Sequence, residues 1–368
     1  MKKRFLGVLL SVAMVAAVLA GCGSSGAKET VAPAGSETEA ASEAASGETE
    51  AAGNTGDVIT VGFSQVGAES DWRTANSESM KSTFSTENGY NLILDDAQQK
   101  QENQIAAIRN FIQQEVDYIV LAPVTESGWD TVLQEAKDAE IPVIIVDRMV
   151  DVSDDSLYTA WVGSNFKLEG QKACEWLKQY AAAKNMSEVN IVDIQGTIGA
   201  SAQIGRTEAL NEAVEANGWN LLAQQTGEFT QAKGQEVMES MLKQYDNINV
   251  VYCENDNEAF GAIEAIKAAG KTVGPDGDIL VMSFDTTKQG ITDTLSGDII
   301  VNTECNPLHG PRVEQIIKQL QAGETPEKQA YVEEGIYAHG SDVASVSIDG
   351  TDYEVTEVTQ DVVDARAY

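Results

Sequence analysis

The sequence is poor in the residues that most often carry catalysis or hold metals. It has 2 histidines and 4 cysteines in 368 residues. The histidines, His309 and His339, stand apart from each other and from any cysteine, so neither a metal site nor a histidine-based catalytic unit is expected. The cysteines follow no metal-ligand spacing. With Cys22 set aside, Cys174, Cys253 and Cys305 remain, an odd number that cannot all pair internally. Cys253 and Cys305 both fall near strand ends, which leaves one disulfide open; buried free thiols are the favoured reading. Positive charge is scarce too: 24 Lys and Arg against 58 Asp and Glu give a formal charge of −34. That argues against nucleic acid and anionic membrane surfaces as partners of the body. Neither a G-x-G-x-x-G motif nor a Walker lysine motif is present, so a dinucleotide site is disfavoured and no cofactor is expected.

One long apolar run exists, and it lies at the start. Met1-Lys-Lys-Arg4 precedes an apolar stretch from Phe5 to Ala20, the pattern of a secretory signal too short for a spanning helix. It ends Leu19-Ala-Gly-Cys22, which resembles the lipobox of bacterial lipoproteins and implies cleavage before Cys22 and acylation of its thiol. Residues 23–56 are mostly Gly, Ser, Ala, Thr and Glu. Such a segment buries too little to offset its ordering entropy and reads as a disordered acidic tether. The expected location is therefore the extracytoplasmic face of the cell membrane, with lipid as the only membrane contact.

The roughly 310 residues beyond the tether suggest two domains. Short apolar runs alternate with amphipathic stretches from Asp57 onward. Strands are expected at Val58–Ser64, Asn91–Leu94, Tyr118–Ala122, Ile141–Asp147 and Tyr158–Val162, and again at Val189–Gln195, Trp219–Gln225, Asn249–Cys253, Ile279–Phe284 and Ile299–Glu304. Helical patterns lie between them. Repeated βα alternation predicts doubly wound parallel sheets. The two series break near Gly163–Asn165 and Glu304–Pro307, which predicts two lobes, 57–163 with 305–334 and 164–304 with 335–368, joined by a multi-strand hinge. The tail from Tyr331 alternates only weakly, as a third crossing followed by edge strands would.

The stretch Ile141-Pro-Val-Ile-Ile-Val-Asp-Arg148 marks the first candidate site. An apolar run without alternation reads as a strand buried on both faces, and ligands bind at the carboxyl edge of such strands. Asp147 there offers acceptors and Arg148 a fork of donors, a combination suited to a polyhydroxylated ligand and equally to a strand-capping ion pair. Asn255 and Asp285 also follow apolar strands. The polar loop from Phe63 to Arg73 follows the first strand; Glu69 and Arg73 in it can also simply pair across a helix start. Arg206 lies on a helical stretch and reads equally well as solvated.

Several motifs then point one way: Val61-Gly-Phe-Ser-Gln-Val-Gly67, Glu69-Ser-Asp-Trp-Arg73, Ala97-Gln-Gln-Lys-Gln-Glu-Asn-Gln104, Asp147-Arg148, Leu168-Glu-Gly170, Gln195-Gly-Thr-Ile-Gly-Ala-Ser201, Gly227-Glu-Phe-Thr230 and Asn255-Asp256. As a set they resemble the periplasmic-binding-protein type I sugar receptors of ABC importers, in the ribose- and galactose-binding group, and most of all the galactofuranose-binding receptors. The resemblance covers about 57–328. It implies a non-enzymatic, cofactor-free clamp for one monosaccharide, a monomer serving an ABC permease. It also implies the ligand set: Gly67, Ala68, Glu69, Ser70 and Asp71 wrapping the sugar; Asp147 and Arg148 from the same side; Arg206, Asn255 and Asp285 from the other; Glu304 as a further acceptor; and Trp72 and Phe229 stacking on the sugar's C–H face. Asp71, Ala68 and the Thr-Thr-Lys after Asp285 depart from the family pattern. Two other readings stay open: a sugar-sensing lobe for a chemoreceptor or kinase, and a glycosidase using Asp147, Asp285 or Glu304.

Overall fold

The structure is a computed structural model that describes residues 58–368; the signal, Cys22 and the tether lie outside the described residues. In chain order the elements are β1 (Ile59–Gln65), α1 (Asp71–Thr83), β2 (Tyr90–Asp96), α2 (Gln101–Gln113), β3 (Tyr118–Leu121), α3 (Asp130–Asp138), β4 (Val143–Val146), β5 (Ala160–Gly163), α4 (Phe166–Ala183), β6 (Asn190–Gln195), α5 (Ser201–Asn217) and β7 (Asn220–Thr226). They continue with α6 (Gln231–Gln244), β8 (Val250–Cys253), α7 (Asp256–Ala268), β9 (Leu280–Asp285), α8 (Lys288–Ser296), β10 (Val301–Glu304), α9 (Gly310–Gln321), β11 (Gln329–Tyr331), β12 (Ile336–Ala338), β13 (Ser345–Ile348), β14 (Thr351–Glu357) and α10 (Gln360–Ala365).

Two sheets result. The first runs β11-β5-β4-β3-β1-β2 and is parallel throughout. The second runs β13-β14-β12-β10-β9-β8-β6-β7, parallel from β10 to β7. The apolar strands account for this layering. Along β4, Val143 and Ile145 enter one hydrophobic cluster while Ile144 and Val146 enter another. Along β8, Val250 and Tyr252 likewise part from Val251 and Cys253. A strand clothed on both faces must be apolar at every position, so alternation is lost.

The strand ends are set by backbone chemistry. Pro142 has no N–H to give a ladder, and β4 starts only at Val143. It stops before Asp147, whose φ of 63° is left-handed; Asp285 ends β9 with φ 100°. Neither residue is a glycine, so both geometries are strained and held by their surroundings. Such outliers mark positions to inspect for function.

The chain crosses between sheets three times: from β5 into α4, from β10 into α9, and from β11 into β12. The tail beyond the last crossing builds the far edge of the second sheet. β12 pairs antiparallel with β10, and β13 and β14 form a hairpin beside it. Its polar outward positions explain the weak alternation. Cys174, Cys253 and Cys305 are buried and unpaired. No helix among the described residues is long and apolar enough to cross a membrane.

Two close approaches deserve numbers. α4 and α5 pack through glycines: a Cβ on Gly170 would lie 2.6 Å from the Ala209 Cβ, and one on Gly205 would lie 2.8 Å from the Lys167 nitrogen. Gly205→Ala is expected to cost about 1–3 kcal/mol through overpacking, read as a lower urea midpoint at unchanged slope. His309, at the second crossing, is fully buried, and its Nδ1 lies 2.9 Å from Asn76 Nδ2. Burial lowers its pKa from 6.5 to about 4, with nearby Arg312 and Arg73 acting in the same sense and Asp147 opposing. The unfolded chain therefore takes up this proton first as pH falls. The contribution is fully present above about 6.5 and is lost on descending toward about 4. Relative to wild type, His309→Gln is expected to lose less melting temperature across that window; parallel pH–melting curves for the two proteins contradict this.

Candidate functional site

The site forms where the carboxyl edges of both sheets face each other. On the first lobe, Ser70 caps α1 by accepting from the Arg73 N–H at 3.1 Å. That cap fixes the first turn and aims Arg73 inward. Arg73 pairs with Glu69 at 3.0 Å and with Asp147 at 2.8 Å, and all three side chains are at most 4% exposed. Arg148 donates to the Val124 carbonyl at 3.0 Å and lies 3.9 Å from both Glu69 and Asp147. The result is an alternating row of buried acids and guanidiniums.

The second lobe answers with Arg206 on α5. Its guanidinium contacts Glu169 at 2.7 Å and Asp285 at 3.6 Å, donates to the Glu254 carbonyl at 2.5 Å, and lies over the rings of Phe166 and Phe284. Asn255 caps α7 by accepting from the Glu258 N–H at 2.8 Å, while its amide donates to the Phe229 carbonyl at 3.1 Å. Behind them Asp256 accepts from Ser283, Thr287 and Asn302, tying β9, β10 and α8 to α7.

Phe229 is a fixed plate. Glu228 and Phe229 both have left-handed φ, 57° and 60°. The Phe229 N–H donates to Glu258 at 2.8 Å, and a Cβ on Gly196 would lie 1.9 Å from the Phe229 ring; only glycine leaves that ring its place. Across the cleft, Arg148 sits 5.0 Å from the ring centre. Trp72 donates from Nε1 to the Cys305 carbonyl at 2.7 Å and joins Phe166, Ala200, Ala202, Phe229 and Cys305 in an apolar cluster drawn from both lobes.

These groups line a small cavity between the lobes. Glu69, Ser70, Trp72, Asp147, Arg148, Arg206, Phe229, Asn255 and Asp285 line it, as does a set that sequence reasoning passed over: Arg73, Phe166, Ala202 and Cys305. Arg73 had been visible only as a partner for Glu69; its reach to Asp147 joins residues far apart in sequence. Phe166 and Ala202 carried no motif signal. Four expected residues do not line the cavity. Gly67 is buried behind Glu69 and Gln99. Ala68 is exposed, because the loop turns outward there. Asp71 is exposed as well, and only its N–H engages, donating to Asn257 across the cleft at 3.0 Å. Glu304 turns away to Gly335, Arg366 and Tyr368.

Electrostatically the site is nearly balanced. Burial pushes the Asp285 carboxyl well above the ordinary carboxylate range, and Arg206 only partly offsets this. Burial, with Arg73 and Arg206 nearby, lowers Arg148 to about 10 despite Asp147 and Glu69. Glu69 Oε2 and Arg73 Nη1 are buried without a hydrogen-bond partner in the protein. Such groups carry a desolvation cost until a partner arrives. Glu169, Cys305 and Glu334 bring possible metal-ligand atoms within 4.8 Å of one another. Arg206 holds Glu169, however, and Ser164 and the Asn306 N–H hold Glu334, so this trio fits a structural knot better than a cation.

The lobes also touch directly beside the cavity. The Met149 N–H donates to Ser201 at 2.9 Å, and the Glu126 N–H to the Gly199 carbonyl at 2.9 Å. With the Asp71 contact, these describe a closed cleft.

Comparison with known proteins agrees with this architecture. A family model described as a periplasmic binding protein domain matches residues 61–303. The galactofuranose-binding protein YtfQ of Escherichia coli is 42% identical over 284 residues, covering 76% of this chain and 87% of its own. The fructose import binding protein FruE of Bifidobacterium longum is 32% identical, covering 74% of this chain and 83% of its own. A solved Mycobacterium smegmatis protein in complex with β-D-fucofuranose is 43% identical with TM-score 0.73, covering 76% of this chain and 91% of that one. With the family model spanning most of the described residues and two α/β lobes closed around a lined cavity, the chain belongs to the periplasmic binding protein family and has its type I fold.

Proposed function

We propose that this protein captures a single monosaccharide, in a furanose form, between its lobes and delivers it to an ABC permease. The observation that carries this reading is the cavity wall itself: buried carboxylates and guanidiniums alternate on both lobes, with unpartnered donors and acceptors among them. Vicinal hydroxyls match such a wall because each both gives and takes a hydrogen bond. Three guanidiniums face the buried carboxyl groups of Glu69, Asp147, Glu169 and Asp285; a neutral ligand leaves those pairings intact.

The furanose form follows from the relatives. Those named for galactofuranose, β-D-fucofuranose and L-arabinofuranose are 41–43% identical to this chain. Ala68 and Asp71, two departures from the family pattern, face away from the cavity and leave this preference untouched. The lobes turn on the three crossings, and the sugar draws them together by binding the closed form more tightly than the open one. Hydrolysis is disfavoured: the similar proteins are binding proteins, Asp147 is pinned by Arg73, and Glu304 lies outside the cavity. The acylated Cys22 would hold the protein, as a monomer, at the outer membrane face near its permease.

Calorimetry with Arg73→Ala or Arg148→Ala tests the site. The first strands Glu69 and Asp147, the second leaves the Val124 carbonyl without its donor, and a loss of about 1–3 kcal/mol is expected, or roughly fivefold to 150-fold in affinity. A thermal-shift screen over pentoses and hexoses that raises no melting temperature contradicts the function. For the anchor, Cys22→Ala is expected to release the protein from the membrane fraction; full retention overturns acylation at that residue.

A further inference from the structure

Glu304 ends β10 in register with Asp285 of β9, so its side chain starts beside the cavity. It is turned elsewhere. One carboxylate oxygen accepts from Arg366 Nη1 at 2.8 Å and from the Tyr368 hydroxyl at 2.7 Å; the other accepts from the Gly335 N–H at 3.0 Å. The Arg366 and Glu304 side chains are only 8% and 12% exposed. Arg366 is itself held between the rings of Tyr337, at 4.8 Å, and Tyr368, at 5.0 Å. Burial alone would raise the Glu304 carboxyl, but Gly335, Tyr368 and Arg366 together bring it below the ordinary value, so it is an anion here.

The segment that delivers Arg366 and Tyr368 is anchored beside the same site. In α10, Val363 packs with Ile291 of α8, and its carbonyl accepts from Lys288. α8 is the helix that follows Asp285, capped by Thr287. This short stretch therefore reaches the second crossing through Glu304, whose other oxygen holds Gly335 at the third, and it braces the helix leading out of Asp285. Both crossings turn when the lobes move.

We propose that Arg366 and Tyr368 are positioning residues for the ligand cleft, acting through Glu304: they keep its carboxylate out of the cavity and lock the second crossing to the third in the closed arrangement. The effect on affinity rests on the monosaccharide reading; the effect on the hinge does not. Without these partners, Glu304 can swing toward Asp285 and Arg206, adding a negative charge to a balanced wall, and the crossings loosen.

The test uses the full chain in detergent, with Arg366→Ala, Arg366→Lys and Tyr368→Phe made in the wild-type and Glu304→Gln backgrounds. Two quantities are read: the dissociation constants for L-arabinose and D-galactose, and the radius of gyration without sugar by small-angle scattering. Arg366→Ala is expected to weaken binding about tenfold and to enlarge the sugar-free protein. Arg366→Lys, which keeps the charge, should recover most of both. In the Glu304→Gln background the Arg366→Ala step should change affinity by less than about twofold, because residues acting through one partner are not additive. Unchanged affinity, or an equal loss in both backgrounds, overturns the proposal. If the wild type binds neither sugar, the monosaccharide reading falls, and the scattering decides the clamp: an increase confined to the Glu304 background supports it, and equal radii overturn it.

Discussion

The contact on which the site depends is the pair of Arg73 and Asp147, 2.8 Å apart and almost wholly removed from water. Neither charge is tolerable there alone; breaking a buried pair by deleting one partner costs about 3–5 kcal/mol. Asp147 reaches this position only because β4 ends in a left-handed residue, and Arg73 only because Ser70 caps α1. A strained turn and a helix cap, formed on separate elements, are thus both held in place by one ion pair. Glu69 and Arg148 then extend the pair into a row. The strength of that pairing also explains why the wall keeps its shape: a row of mutually fixed charges does not have to reorganise when hydroxyls arrive, which lowers the cost of binding.

The second lobe uses a different device for the same purpose. Its acids are deeper, and burial drives several of them toward neutrality: Asp193 to about 7, Asp256 to about 6, and Glu254, Glu258 and Asp285 well above the carboxylate range. Apart from Glu169, they act less as counter-ions than as hydrogen-bonding struts. Glu258 holds the Phe229 backbone, Glu254 holds Gly196 and Thr207, and Asp256 gathers three segments behind Asn255. Arg206, paired with Glu169, is the guanidinium that faces the cavity from this side. One lobe is therefore organised by a row of ion pairs and the other by buried, hydrogen-bonded acids around the Arg206–Glu169 pair, and the cavity lies at their junction.

Much of this was legible in sequence, and the limits have physical causes. The strands could be read because two-faced burial leaves uninterrupted apolar runs, as in Val143–Val146 and Val250–Cys253. Strand β4 came out shorter than Ile141–Asp147 because proline and a left-handed aspartate trim it at either end. The C-terminal edge was nearly silent: a half-exposed hairpin has little to bury and so little periodicity to show. Asp147, Asn255 and Asp285 could be placed from strand ends alone, whereas Arg206 needed a family resemblance, since a buried arginine on a helix looks like a solvated one until its partners are known. Glu304 was misassigned as a cavity residue for a related reason. Position at a strand end tells where a side chain starts, and only the partners from residues 335, 366 and 368 tell where it goes.

The overall charge and the charge of the site obey different requirements. The formal charge of −34 is carried largely by exposed acids, and a field of that sign repels anions and does nothing for a neutral ligand at a distance. Long-range steering therefore cannot select a sugar. Selection has to occur at contact, where discrimination comes from buried groups left unpaired by the wrong ligand. On the proposed reading, the unpartnered atoms on Glu69 and Arg73 would provide this. A ligand missing one hydroxyl, or presenting it in another ring geometry, leaves at least one of them without a partner inside a closed cleft. The rigid Phe229 plate sharpens the penalty, because a ring trapped by Gly196 and Glu258 cannot shift to accommodate the misfit. On the proposed reading, specificity for one sugar geometry would follow from the rigidity of the wall as much as from the identity of its side chains.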